Sequence, residues 1–288
     1  MTSRGFAPAK INLALHLTGL RADGYHLLDS LVVFADVGDR VSAEPARDLS
    51  LRVTGPGADG VPTDGSNLVL KAARLLQELR GVDAGAAIHL DKHLPHGGGI
   101  GGGSSDAAAT IRVLSDLWQV PPLTMSEALA LGADVPVCLA APRPMFMRGI
   151  GDLVEPAHGV PEGWLVLVNP GVEVPTGPVF ALHDRLYPTE NPGLHPLLAW
   201  GDQEDFEDWL RGQRNDLTKV AREASIAPVI GTVLKALQGC AKVAEMSGSG
   251  STCWGWFRTD AEAQKAADDL AQAHPDWWVR PTRITGSS

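Results

Sequence analysis

Three cysteines in 288 residues is a low count, and Cys138, Cys240 and Cys253 are odd in number with no short paired spacing. That excludes a C-x-x-C zinc or redox motif and reads as reduced thiols of a cytoplasmic protein. Positive charge is also scarce. Against 34 Asp and Glu stand 24 Lys and Arg, a formal net charge of -10. The balance argues against a nucleic-acid partner, because such a surface needs clustered cations to displace counterions from phosphates. An anionic small molecule is compatible with it, since backbone amides, one or two lysines and a divalent cation hold such a ligand locally. Long apolar runs are missing too. Residues 128–141 come nearest and contain Asp134 and Pro136, so no membrane span is expected. Arg4 and Lys10 beside the apolar stretch 11–20 imitate a leader, but Asn12, His16 and Thr18 interrupt it and no small-x-small cleavage pattern follows. Repeats and low-complexity tracts are absent.

What is present is the composition of a folded chain, 44% hydrophobic and 20% charged, long enough for one large domain or two ordinary ones. Ile11, Leu13, Leu15 and Leu17 alternate with Asn12, Ala14 and His16, the period-2 pattern of a strand with one buried face. Further short strands read at 31–34, 40–43 and 49–53. Residues 66–79 predict a helix: Leu68, Ala72, Leu75, Leu76 and Leu79 form one stripe, Ser66 or Asn67 offers an N-cap, and Gly81 lies past the end. A strand at 86–91 precedes an alanine-rich helix at 104–118, which Pro121 and Pro122 stop. Turn residues at 155–162 suggest a boundary, dividing the chain into 1–158 and 159–288. The second part reads strand 164–168, helices, strands 242–246 and 252–257, helix 260–273 and strand 277–284. That order is the split βαβ, ferredoxin-like plan, and the fold class is α+β.

The strongest local signal is HGGGIGGGSSDAAA, where six of the seven residues 97–103 are glycine. Glycine permits positive φ and close backbone approach, and the helix that follows offers unpaired amides and the positive end of its dipole. Such a segment suits a phosphate chain. The Walker pattern fails, because Gly103 follows Gly102 where a lysine is required. A G-x-G-x-x-G match exists at Gly97, Gly99 and Gly102, but a dinucleotide fold also needs a strand soon after the helix, and the chain runs into QVPPL instead. A flexible linker is the bland alternative. A second glycine turn, SGSGS at 247–251, lies between two predicted strands and is by itself an ordinary hairpin turn.

Single residues are ambiguous when read alone. Lys10 reads as a solvated strand lysine, Asp134 as a turn or cap residue before Pro136, His26 and Tyr25 as a strand-edge pair, and Phe180 as core. A lysine near a carboxylate changes that reading, because the ammonium keeps the carboxylate ionised and helps orient a hydroxyl.

Together the motifs resemble the GHMP kinase superfamily. The resemblance rests on PAKINLALHLTGLRADGYHLLDSL (8–31), LPHGGGIGGGSSDAAA (94–109), LGADVPVCL (131–139), PTGPVF (175–180) and MSGSGST (246–252), spread along most of the chain. RADGYH points to the branch acting on a cytidine-diphosphate-linked methylerythritol. The resemblance implies two α+β domains, an N-terminal ATP-binding one like domain 2 of ribosomal protein S5 and a ferredoxin-like C-terminal one, with ATP and acceptor meeting between them. It assigns ATP to Pro95, Gly97, Gly98, Gly99, Ile100, Gly101, Gly102, Gly103, Ser104 and Ser105. Lys10 and Asp134 match the catalytic pair. Asn12, Tyr25, His26, Thr176, Phe180, Ser247, Gly248, Ser249 and Gly250 match the acceptor side, with Tyr25 and Phe180 on the cytosine. Mg²⁺ is implied with ATP, its ligands unknown, with Ser104 or Ser105 as candidates. A monomer or weak homodimer is expected. The sequence departs from the pattern at Thr218, where an acid is usual after Asn215, Asp216 and Leu217, and at the bulky Trp254 and Trp256.

Overall fold

The computed structural model describes residues 2–187, 192–194, 202–223 and 225–284. They form two compact units, each discontinuous in sequence: Met1–Ala9, Val37–His96 and Gly101–Ala141 make the first, Lys10–Asp36, Gly97–Ile100 and Pro142–Ser288 the second. Two long strands, β1 (Ser3–Leu20) and β2 (His26–Ala46), pair with each other and contribute residues to both units.

In the first unit β3 (Ser50–Thr54) runs parallel to β4 (Gly85–Asp91), which pairs antiparallel with the far half of β2, Arg40 opposite Asp91. Between β3 and β4 lies α1 (Leu68–Arg80). Asn67 caps it, its side chain accepting from the Val69 amide, and Gly81 closes it at φ 64°, both as the sequence predicts. Helix α2 (Gly102–Trp118) follows the glycine segment, then the single turns α3 (Met125–Ala128) and α4 (Val135–Leu139). Val69, Ala72, Ala73 and Leu76 of α1 meet Ala107, Ile111 and Leu114 of α2 over Val41, Ile88 and Leu90 of the sheet.

In the second unit β5 (Met145–Gly149) pairs with the near half of β2 and with β6 (Leu153–Pro156). Strand β7 (Gly163–Asn169) is followed by helices α5 (Thr176–Leu186), α6 (Gln203–Arg211), α7 (Thr218–Ala221) and α8 (Val229–Gln238). The hairpin β8 (Val243–Met246) and β9 (Cys253–Phe257), helix α9 (Asp260–Ala273) and β10 (Trp278–Ile284) complete it. The order β10-β7-β9-β8, antiparallel throughout, is the ferredoxin-like arrangement. Helices α8 and α9 set Val233, Leu237, Ala263 and Ala267 against Val166, Val168 and Phe257. Fully burying a valine, leucine or phenylalanine side chain contributes about 1.5–3 kcal/mol. The three cysteines are free thiols, Cys240 exposed and the others buried.

Three expectations need correcting. Strand β1 is buried on both faces over residues 7–17, so Lys10, Asn12 and His16 do not face solvent as period-2 alternation implies. The stretches 31–34 and 40–43 belong to one continuous strand, because Gly38 lies inside β2 rather than ending it: Ala7 O and Pro8 of β1 pass where a Cβ would stand. The β5–β6 hairpin went unread.

Candidate functional site

Four residues of the glycine segment, Gly97–Ile100, belong to the second unit, and their backbone is bound there at three points. The Lys10 amide donates to Ile100 O at 2.9 Å, the Thr252 amide to Gly98 O at 3.0 Å, and Ser247 Oγ to Gly99 O at 3.0 Å. Gly99 has φ 72°, and a Cβ on it would lie 2.5 Å from Ser247 O and 2.6 Å from Gly250 O. Reciprocally, a Cβ on Gly248 (φ 57°) would lie 2.6 Å from Gly99 O. The two glycine motifs are one packed object, which only glycine at both positions allows.

The candidate acceptor residues gather around it. Lys10 and Asn12, two apart on β1 and therefore on one face, are 3% and 1% exposed. The Asn12 amide donates to Ser247 Oγ at 3.1 Å and its Nδ2 to Ser30 Oγ at 2.8 Å, while its Oδ1 is buried with no partner. Such an acceptor costs about 1–3 kcal/mol unless a ligand supplies a donor. Thr176 Oγ1 and Ser249 Oγ are 2.9 Å apart at the exposed start of α5. Asn215 holds the turn from behind, Nδ2 donating to Met246 O (2.9 Å) and Gly248 O (2.7 Å). Thr218 donates to Glu245 at 2.7 Å, and burial raises that carboxyl above the usual range. Trp254 is fully buried, its indole N–H donating to Asn12 O at 3.0 Å, and Trp256 donates to Glu207 at 3.2 Å. The bulky pair is therefore core, and one member braces Asn12.

Farther along β2, the His26 ring lies against Phe180 of α5 with centroids 4.5 Å apart, and Nε2 meets Asp184 Oδ1 at 2.6 Å. Tyr25 is 58% exposed, with the Arg21 guanidinium over its ring at 5.7 Å from the centroid.

Pro95 and the rest of the glycine segment, Gly101, Gly102, Gly103, Ser104 and Ser105, belong to the first unit. Gly101 is the N-cap of α2 at φ 61°, and no side chain caps the helix, so no capping side chain competes for its first amides. Ser105 is fully buried and spends both donors internally, the hydroxyl on Pro8 O (2.7 Å) and the amide on Gly101 O (2.8 Å). Ser104 is only partly buried and makes no hydrogen bond through its hydroxyl among the described residues. Asp134 precedes α4, partly buried, and does not spend its carboxylate capping that helix.

Beneath the start of α2 lies a charge triad that the sequence reading missed. Lys92 donates to Asp39 and, at 2.7 Å, to Asp106, all three nearly inaccessible. Lys92 Nζ is 3.1 Å from where a Cβ on Gly102 would sit. Asp39 is well supplied, taking the amides of His93 (2.5 Å) and Leu94 (2.8 Å) besides Lys92. Asp106 has Lys92 alone, and its Oδ1 has no partner. Close ion-pair geometry argues for an ionised Asp106. However, two carboxylates share one cation in a dry site, and Asp106 is the poorer in donors. Burial, then the neighbouring Asp39 charge against the pull of Lys92, moves its pKa up to about 7. Burial pulls Lys92 down, but Asp106 and Asp39 outweigh it and leave it raised.

A pH dependence follows. The folded-state pKa of Asp106 lies above the ordinary aspartate value of 3.8, so its contribution to stability is complete below about pH 4 and lost as pH rises through about 7. In that window the slope approaches about 1.4 kcal/mol per pH unit. Asp106→Asn is expected to flatten the fall in urea midpoint between pH 5 and pH 8; an unchanged slope would show that Asp106 is ionised throughout.

This set of features, a glycine segment ahead of an uncapped helix and a ferredoxin-like unit with a second glycine turn, defines a class. The chain belongs to the GHMP kinases: the model of the GHMP kinases N terminal domain matches residues 67–141, and that of the GHMP kinases C terminal domain residues 194–276. More particularly, it is 55% identical to the 4-diphosphocytidyl-2-C-methyl-D-erythritol kinase of Jannaschia sp., over 96% of each chain. It is 50% identical to the enzyme of that name from Cereibacter sphaeroides, over 99% of this chain and 100% of the relative. A crystal structure of 4-(cytidine 5'-diphospho)-2C-methyl-D-erythritol kinase superposes with TM-score 0.79 at 31% identity, covering 99% of this chain and 100% of that one. L. major mevalonate kinase in complex with R-mevalonate shares the fold, with TM-score 0.73 at 16% identity, over 100% and 97% of the two chains.

Proposed function

We propose that this chain transfers the γ-phosphoryl group of ATP to the 2-hydroxyl of 4-diphosphocytidyl-2-C-methyl-D-erythritol, a step of non-mevalonate isoprenoid-precursor synthesis. One observation carries the reading: Gly97–Ile100 is docked on the SGSGS turn, with Asn12 Oδ1 buried, donorless and one residue pair from Lys10. A backbone segment suited to phosphate and an acceptor suited to a hydroxyl proton thus share a neighbourhood. The named relatives support the choice of acceptor. In the reaction the acceptor oxygen bonds to the γ-phosphorus, the bond to the β-phosphate bridging oxygen breaks, and ADP leaves. Catalysis is mainly positioning and charge stabilisation. Glycine-segment and α2 amides hold the phosphates, and Lys10 and Asp134 serve the hydroxyl, whose proton leaves toward Asp134.

Among the described residues no group of three or more His, Cys, Asp or Glu is arranged to hold a metal. Mg²⁺ brought with the nucleotide would have the Ser104 hydroxyl available to it and would neutralise phosphate charge. No helix among the described residues is long and apolar enough to cross a membrane, and the polar substrates suit a cytoplasmic enzyme.

ADP release with ATP, Mg²⁺ and a panel of the cytidylated methylerythritol, homoserine and mevalonate tests the proposal. Turnover of only the first is expected; preference for another alcohol, or no turnover with ATP still bound, overturns it. Phe180→Ala should raise the KM of the cytidylated acceptor and spare that of ATP. Stacking alone, worth about 0.5–1.5 kcal/mol, accounts for about 2- to 10-fold. Equal loss of ATP affinity would move Phe180 to the nucleotide.

A further inference from the structure

We propose that Asp184 is a positioning residue that sets which pyrimidine the acceptor site takes, by fixing the hydrogen-bonding character of His26. The inference rests on the reading of His26 as the residue meeting the base's polar edge.

Phe180 and Asp184 stand four apart on α5 and share one of its faces. Both act on the same imidazole. Phe180 lies against the ring at 4.5 Å and sets its plane; Asp184 Oδ1, at 2.6 Å from Nε2, sets its rotation within that plane. The His26 side chain is 16% exposed and that of Asp184 42%, so the ring is mostly enclosed while the carboxylate keeps part of its water. The other ionisable neighbour is His183, whose Nδ1 stands 3.8 Å from the same Oδ1.

An ionised carboxylate only accepts hydrogen bonds. The ring nitrogen facing it must therefore carry the proton, and in the neutral imidazole Nδ1 is left as a bare lone pair. His26 Nδ1 makes no hydrogen bond among the described residues, so any base that meets the ring's polar edge meets an acceptor. Cytosine offers its exocyclic amino group as a donor there. Uracil offers a carbonyl oxygen at the same position, which sets lone pair against lone pair. A site built to satisfy one hydrogen-bond pattern rejects an analogue lacking it far more strongly than an apolar pocket rejects a change of size. Without Asp184 both tautomers are open to the ring, and the discrimination falls.

The test compares kcat/KM for the cytidine and uridine diphosphate forms of the methylerythritol acceptor in the wild type, Asp184→Asn and His26→Ala. Wild type should prefer the cytidine form. Asp184→Asn should lower that preference about tenfold, the scale of one hydrogen bond to a charged group, through a higher KM for the cytidine form and with the KM of ATP unmoved. Long-range ¹⁵N–¹H spectra of the imidazoles add a readout that needs no substrate: His26 should show protonated Nε2 in the wild type and a tautomer mixture in Asp184→Asn. Equal losses for both acceptors, or an unchanged His26 tautomer, overturn the proposal and leave Asp184 a packing residue. If His26→Ala keeps the wild-type preference, the base contact itself lies elsewhere, and the reading beneath the proposal fails separately.

Discussion

Asp134→Asn is expected to lower kcat by at least ~10²-fold, within the range of a lost general base, with both substrates still bound. Asparagine keeps the size and can still hydrogen-bond, but it cannot take the hydroxyl proton. The residue does not cap α4 with its side chain, so the substitution removes no helix cap and the fold should persist. If the loose transition state leaves the hydroxyl barely acidic until late, Asp134 mainly orients it and Lys10 stabilises charge near the phosphoryl group. Lys10→Ala should then cost kcat as well. The double variant should lose less than the product of the single losses, because residues acting as one unit are not additive. Pre-steady-state kinetics separates chemistry from release; near-normal kcat in Asp134→Asn sinks the base assignment.

Gly101→Val should abolish measurable ATP binding while the chain stays folded. Gly101 is held at φ 61° at the head of α2, and a β-branched residue there costs on the order of 1–3 kcal/mol. To relieve it the first turn must shift, and a displacement of about 1 Å in positioned groups can cost ~10²-fold. Gly102→Val should act by a different route from the one the sequence suggests. Gly102 is not among the positive-φ glycines, and its added Cβ would meet Lys92 Nζ at 3.1 Å, so the injury passes through the buried triad. Calorimetric titration with ATP, beside circular dichroism to confirm folding, distinguishes the two. Normal titration in a folded Gly101→Val would remove the helix head from the phosphate site.

Local chemistry made the helices legible. Asn67 and Gly81 bracket α1, and Thr259, whose side chain accepts from the Glu262 amide, starts α9 ahead of its buried Ala263, Ala266, Ala267 and Leu270. Each signal lies within a turn of what it governs. The strands were less legible, since Asp36, Gly38 and Asp39 look like breakers until β1 is laid beside them. Buried charge was least legible of all. Asp39 finds Lys92 across 53 residues and His26 finds Asp184 across 158, and no window of sequence contains both partners. On the acceptor side, motif residues such as Asn12 and Ser247 do meet, while Ser30 and Asn215, which orient them, lie in matched segments but were assigned no site role.

The mutual exclusion of side chains at Gly99 and Gly248 also bears on how such a gene can be recombined. A crossover between these codons joins the first glycine segment from one parent to a hairpin turn from another. Any parent whose backbone differs there by a few tenths of an ångström supplies a mismatched half, because a Cβ on Gly248 would meet Gly99 O and a Cβ on Gly99 would meet Ser247 O and Gly250 O. Chimeras that exchange both segments as a block should fold and bind nucleotide, whereas those exchanging one should be recovered rarely, whatever the identity of the 148 residues between them.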